Sequence, residues 1–348
     1  MAFASFSGSL RATAALTLAL SLPTLVALAP VRAASDTAAP IAIERMGSFA
    51  AGGKTISSGE NTLHCDQGHV EYLVPANARK TSIFLWHSSS AHVWQNRWDG
   101  GEGYQSKLLR RGYPTYIWDG PRVGRGTMSC EPTSYEPRMG QDQGNWVAWR
   151  FGPKSGEWFK GVQFPTDSKE AYDAAMDARY VEYDVAKNAH LEAEAAAKAI
   201  DKIGPVVALT NSAGGWRAML AALKSDNVKG IVAYEPAAFV FPEGEGPQGE
   251  EGGFGPTHVP LEEFKRLTRI PIQIVWGDYT EQTYWKTNAE LSRQFVAIVN
   301  KYGGHAEVLM LPSVGLVGNT HIPFADMNNE KVAEQLDLFL KKNKLDGR

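Results

Sequence analysis

The chain has 348 residues, with 35 Lys and Arg against 38 Asp and Glu, for a formal net charge of −3. That balance carries no sign of a nucleic-acid partner, since such binding draws its affinity from cationic side chains that neutralise phosphates. The length is large for one domain and suits an α/β domain with insertions between its sheet elements.

The first segment, MAFASFSGSLR, holds one arginine and no acid. It leads into the apolar run Ala12 to Ala29, after which Val31-Arg32-Ala33 puts small residues at the usual cleavage positions. This is the pattern of a secretory signal peptide. Pro23 interrupts a run that ends near Pro30, short of the about 20 unbroken apolar residues that a membrane span needs. Residues 1–33 are therefore expected to be removed near Ala33. What remains is a single domain over 34–348, without a stable membrane anchor, in the periplasm or outside the cell. Removal takes Arg11 and Arg32 and no acid, so the mature chain is more acidic. In an oxidising compartment Cys65 and Cys130 are expected to form one disulfide, the competing reading being two separate buried thiols.

Short apolar runs then alternate with longer amphipathic stretches, the signature of a mostly parallel sheet of about eight strands with helices on both faces. An antiparallel opening pair is expected at Ile41 to Arg45 and in the Leu63 to Leu73 region, with Gly68 supplying a turn. Six further strands follow at Ser82 to Trp86, Thr115 to Trp118, Val206 to Leu209, Gly230 to Tyr234, Ile272 to Trp276 and Ala306 to Leu311. Helices are predicted at Gly103 to Arg111, Ala171 to Ile203, Ala213 to Lys224, Lys286 to Lys301 and Asn328 to Lys342.

Two segments break the alternation. Met128 to Thr166 carries Trp146, Trp149, Phe151, Trp158, Phe159 and Phe164. It reads either as part of a lid insertion over about 128–170 that lines an apolar pocket, or as core under a long loop. Pro242 to Pro256 is rich in Gly and Glu and reads as a mobile, solvated loop.

The chemistry gathers at strand ends. Val206-Val207-Ala208-Leu209 is a strand, Ser212 sits on the turn after it, and Ala213-Gly214-Gly215-Trp216 opens a helix. The small residues at 213–215 permit a sharp turn and close helix–strand approach. Thr210 stands where the G-x-S-x-G pattern has its first glycine, so Ser212 reads as a nucleophile or as a helix cap. A serine hydroxyl needs a base, an orienting acid and oxyanion donors. His321 in Thr320-His321-Ile322-Pro323 follows the last strand, where the fold places the base. His64, His69, His190 and His305 lie on predicted strands, helices or a remote turn and suit structural roles. The acid is Glu235 in Tyr234-Glu235-Pro236 or Asp278 in Trp276-Gly277-Asp278-Tyr279-Thr280, with Thr280 where the usual aspartate falls. Glu235 is preferred because Pro236 stops its strand and holds the carboxylate at the tip. Oxyanion donors are the amide of Ala213 and, from Trp86-His87-Ser88-Ser89-Ser90-Ala91, the amide of Ser89, unless that serine run is an ordinary turn. No metal motif is present, since His64-Cys65-Asp66 with His69 lacks H-E-x-x-H or paired C-x-x-C spacing. Arg122-Val123-Gly124-Arg125-Gly126 is no dinucleotide fingerprint. No cofactor is expected.

Several runs carry a family likeness: Arg110-Arg111-Gly112-Tyr113, Asn145 to Pro165 with Trp149-Arg150-Phe151-Gly152-Pro153, the serine turn, Tyr234-Glu235-Pro236 and Gly318-Asn319-Thr320-His321. In these the chain resembles bacterial exported esterases of the Alcaligenes type within the α/β-hydrolase superfamily. The resemblance implies a carboxylic-ester hydrolase whose triad acid is a glutamate after the strand preceding the usual one, which is Glu235. Ser89 and Ser90 stand where that group's best-known member has two adjacent cysteines, so a vicinal disulfide is not carried over. The expected partner is a small-molecule ester, apolar or aromatic in part. The same triad would serve a lactone, thioester or amide, and a catalytically silent binding protein is the reading from another class.

Overall fold

The computed structural model describes residues 39–181, 185–249, 251 and 254–348. The signal peptide expected over 1–33 lies outside the described residues. In chain order the elements are β1 Ile43–Ser58, β2 Asn61–Pro75, β3 Ser82–Trp86, α1 His92–Gln95, α2 Tyr104–Arg110, β4 Thr115–Asp119, α3 Gln141–Ala148, α4 Lys169–Asp177 and α5 Val185–Ile203. They continue as β5 Val206–Asn211, α6 Ala213–Ala222, β6 Val228–Tyr234, β7 Val240–Pro242, β8 Thr257–Val259, α7 Leu261–Phe264, β9 Pro271–Trp276, α8 Trp285–Lys301, β10 His305–Met310 and α9 Asn329–Lys342. Eight strands form one sheet in the order β1-β2-β4-β3-β5-β6-β9-β10, with β7 and β8 paired separately. β2 pairs antiparallel with β1 and with β4, and every other pair is parallel.

The central strands are mostly apolar and buried because both faces are covered. Successive side chains point to opposite faces. Phe84, Trp86, Ala208, Ile231, Ala233, Ile274 and Trp276 join one core cluster with residues of α5, α6 and α8. Ile83, Leu85, Val207, Leu209, Val232 and Val275 join the other with residues of α2 and α9. Trp146, Trp149, Phe151 and Phe164 belong to that second cluster and are buried. The aromatic segment is thus mainly core under a long loop, the second of its two readings.

The sequence underestimates the opening pair. Its strands run the full Ile43–Ser58 and Asn61–Pro75, and the turn falls at Gly59–Glu60, with Ser58 paired to Asn61. β1 is mostly exposed and therefore lacks an apolar signal. Gly68 is no turn residue: it lies inside β2, where an added Cβ would come within 2.1 Å of the Trp118 ring. The single helical stretch expected over Ala171 to Ile203 is two helices, and Ser168 caps the first by accepting the Ala171 N–H at 3.1 Å. The Gly- and Glu-rich loop is partly tied down, since Glu245 accepts from Lys301 at 2.9 Å and from the Tyr302 hydroxyl. Cys65 and Cys130 form a disulfide that fastens the chain after β4 to β2. Asp66 beside it accepts the Cys130 N–H and pairs with Arg122.

Candidate active site

The candidate groups leave the sheet along its carboxyl edge at matched heights. Trp86 pairs with Thr210, Asn211 with Tyr234, Tyr234 with Val275, and Met310 with Trp276. The loops that carry Ser89, Ser212, Glu235, Asp278 and His321 therefore start side by side, where ligand sites of open α/β sheets lie.

Ser212 occupies a strained backbone at φ 52° and ψ −125°. Such a conformation costs on the order of 1–3 kcal/mol and persists where its surroundings over-determine it. The surroundings are visible: the Ser212 N–H donates to the Tyr234 carbonyl at 3.0 Å, while its own carbonyl accepts from Gly215 and Ala237. Its hydroxyl makes no capping bond to α6, which removes the helix-cap reading. Gly214 and Gly215 are needed for close approach. A Cβ on Gly214 would lie 2.7 Å from the Trp86 carbonyl oxygen, and one on Gly215 would lie 2.7 Å from Pro236 Cβ. Thr210, in the place of the usual glycine, is wholly buried within β5.

His321 and Glu235 are brought together. Nδ1 of His321 lies 2.6 Å from Oε2 of Glu235, and both side chains are buried. Trp285, at the start of α8, stacks on the imidazole with ring centroids 4.3 Å apart. With Nδ1 donating to the carboxylate, Nε2 is the ring nitrogen left to face a substrate or the serine. The Ser212 hydroxyl itself makes no hydrogen bond among the described residues. Asn211, next to Ser212, links all three loops: its Nδ2 donates to the carbonyls of Tyr234 at 3.3 Å and His321 at 3.1 Å.

Glu235 has a further partner that sequence reasoning did not find. Arg150, wholly buried, places both terminal nitrogens on the two Glu235 oxygens, and its Nε donates to the Asp278 carbonyl at 2.7 Å. The Gly277 N–H also donates to Glu235 Oε1, at 2.6 Å, and a Cβ on Gly277 would collide with that oxygen and with the Asn319 and Thr320 carbonyls. Burial raises the Glu235 carboxyl, but the Arg150 charge and the hydrogen bonds from His321 and Arg150 outweigh it and hold the group below the ordinary range. Burial lowers His321, Glu235 pulls it back up, and the Arg150 charge adds to the lowering. Arg150 and Glu235 both sit at positive φ, 57° and 51°.

Asp278, the other candidate acid, faces elsewhere. Its carboxylate accepts from Gly318 at 2.8 Å and from Tyr279 at 2.7 Å, bracing the loop ahead of His321. Asp326 braces the same loop from the other side, accepting from the Thr320 N–H, the Thr320 hydroxyl, Asn319 Nδ2 and Trp98 Nε1. It is fully buried, and burial pushes its carboxyl up to about 7 against those hydrogen bonds.

Across the elbow lies the loop after β3. Ser89 is buried, and its carbonyl accepts the Tyr180 N–H at 2.8 Å. Ala213, also buried, opens α6 against the carboxyl end of β3. His87 is anchored at the start of this loop by a 2.6 Å bond between Nε2 and Asp119, which also pairs with Arg125. Burial raises Asp119, but His87 and Arg125 outweigh it and hold the carboxyl at about 2.

A cavity of about 1350 Å³ opens on Ser88, Ser89 and Trp149, walled by residues between Glu131 and Asn145, by Met176 to Val181 and by Phe254. Of the aromatic residues expected to line a pocket, Trp149 does so, and much of the wall is polar. Among the described residues no group of three His, Cys, Asp or Glu side chains is placed to hold a metal ion, and no helix is long and apolar enough to cross a membrane.

No protein-family model matches the chain. A solved structure described as that of a novel bacterial esterase is similar to it with a TM-score of 0.74 and 26% sequence identity, covering 88% of this chain and 98% of that one. The chain is also similar to the "Probable secreted lipase phiG" of a fungal species (strain ATCC 74256). The two are 24% identical over 317 residues, 79% of this chain and 85% of the relative.

Proposed function

We propose that this chain, which has the α/β-hydrolase fold and is similar to a bacterial esterase, hydrolyses carboxylic esters through an acyl-enzyme on Ser212. The observation that carries this reading is the buried 2.6 Å His321–Glu235 pair on loops in register with a strained serine. In the reaction Ser212 Oγ attacks the ester carbonyl while His321 Nε2 takes its proton. Glu235 holds the Nδ1–H tautomer and steadies the imidazolium that forms. The amides of Ala213 and Ser89 receive the oxyanion, each such donor being worth about a hundred- to thousand-fold in rate. The imidazolium then protonates the departing alcohol, and water, deprotonated by the same base, cleaves the acyl-enzyme. A Ser212–His321 hydrogen bond would form in the substrate complex, as catalytic hydrogen bonds commonly tighten on binding.

In this reading the ester, a small molecule, enters from the cavity beside Ser89, with Trp149 against its apolar or aromatic part; Ser212 and His321 are not among the residues that line that cavity. The Cys65–Cys130 disulfide and the likeness to a lipase named as secreted support an extracytoplasmic location. A panel of nitrophenyl esters, lactones, thioesters and amides tests the reading. Ester turnover that falls at least a thousand-fold in Ser212→Ala is the expected result. Turnover confined to amides or thioesters would overturn it, as would full activity in Ser212→Ala.

A further inference from the structure

We propose that Arg150 is a positioning residue that shares the Glu235 carboxylate with His321, keeping the imidazole neutral, and so able to act as a base, into mildly acidic solution. The inference rests on the triad reading above and extends it to a residue outside that triad.

The geometry is specific. Arg150 spans both oxygens of Glu235 and is fixed by its Nε on the Asp278 carbonyl, and its side chain is fully buried. Its neighbour Trp149 accepts the His321 N–H on its carbonyl at 2.9 Å, so two successive residues hold the acid and the base in one frame. A guanidinium stays charged at any working pH. With it in place the acid is already neutralised, and a proton added to His321 leaves a net positive charge in a buried site. That is costly away from water. Without it, the same proton would make a neutral imidazolium–carboxylate pair. The Arg150 charge accordingly acts in the same direction as burial on His321.

The other charged groups nearby are accounted for. Asp278 turns its carboxylate to Gly318 and Tyr279, and Asp326 is enclosed by Thr320, Asn319 and Trp98. Tyr284, beside Trp285, is an exposed side chain that feels both Arg150 and Glu235, and partial desolvation raises its hydroxyl further above the ordinary tyrosine value, so it carries no charge near neutrality. Neither Tyr284 nor the two aspartates replaces Arg150 as a fixed cation on Glu235.

The test is the acid limb of kcat/KM for ester hydrolysis in the full-length mature protein. The wild-type limb is expected below about pH 6.5, the ordinary histidine value. Arg150→Gln should move it up by about one unit. Arg150→Lys, which keeps the charge and loses the fork, should lower the rate and leave the limb in place. If Arg150→Gln fails to fold by circular dichroism, Arg150→Met fills a similar volume without charge and should show the same upward move. A wild-type limb above 6.5, an unmoved limb in a folded neutral variant, or a lysine variant that shifts as far as the neutral one would overturn the proposal. Failure of the triad reading would look different, as undiminished hydrolysis by Ser212→Ala across the whole pH range.

Discussion

Among the described residues two buried histidine–carboxylate pairs lie at the carboxyl edge of one sheet, His321 with Glu235 and His87 with Asp119, both at 2.6 Å. Each carboxylate also binds an arginine, Arg150 in the first pair and Arg125 in the second. The pairs differ in which nitrogen they use. His321 spends Nδ1 on its partner, which leaves Nε2 as its free ring nitrogen. His87 spends Nε2, leaving Nδ1 buried with no partner among the described residues and the Tyr180 ring edge-on at 5.6 Å. A histidine beside a carboxylate is thus not by itself a catalytic base. On the proposed reading, the tautomer it is held in and what its free nitrogen faces would separate a base, His321, from a brace for the loop after β3, His87.

The sharpest way to break this comparison is to remove each imidazole in turn. His321→Ala is expected to lower kcat/KM about ten-thousand-fold. His87→Ala should act mainly on stability, by about 3–5 kcal/mol for a severed buried pair, with a loss of rate below about a hundred-fold. Equal losses of rate, measured on protein shown to be folded, would erase the distinction. The carboxylates come next. Glu235→Gln should cost about a thousand-fold or more, because the amide no longer fixes the Nδ1–H tautomer. Asp278→Asn, which touches only the bracing of the 318 loop, should stay within about ten-fold.

Much of this site was legible in the sequence. Ser212 and Glu235 stand at the tips of apolar strands and His321 closes the loop after the last one, and buried parallel strands announce themselves as continuous apolar runs. The vacant aspartate position at Thr280 favours the earlier acid, and in the structure Glu235 pairs with His321 while the Asp278 carboxylate accepts from Gly318 and Tyr279. What escaped were groups whose role is a long-range pairing. Nothing in the local sequence of Arg150 says that it meets Glu235 85 positions away, and the same holds for Asn211, Gly277 and Asp326. The exposed hairpin strands were shortened for the opposite reason, since a strand with little buried surface has little apolar pattern. The aromatic segment had the right composition for a lid and turned out to be mostly core, because composition does not tell which side of a loop meets the sheet.

Two smaller effects refine the picture of the braces. Asp326, about 7 in the folded protein against 3.8 unperturbed, binds its proton more tightly when folded. Its contribution to stability is therefore complete below pH 3.8 and lost as pH rises through about 7. Urea unfolding from pH 4 to 8 should show this decline, on the order of a few kcal/mol, and Asp326→Asn should flatten it. An unchanged slope in the variant would assign the decline elsewhere. The paired change Cys65→Ser with Cys130→Ser should cost roughly 2–4 kcal/mol of stability and less than about ten-fold in rate at low temperature, because the disulfide fastens the chain after β4 and touches neither His321 nor Glu235. A larger loss of rate would show that this chain helps to shape the Ser89 side of the site.

The most direct measurement is covalent. Purified protein treated with an organophosphonate ester and mapped by peptide mass spectrometry should carry one adduct, on Ser212, formed about ten-thousand-fold more slowly in His321→Ala and slowed by less than about a hundred-fold in His87→Ala. Folded protein that takes no adduct, or takes it on another residue, would contradict the account.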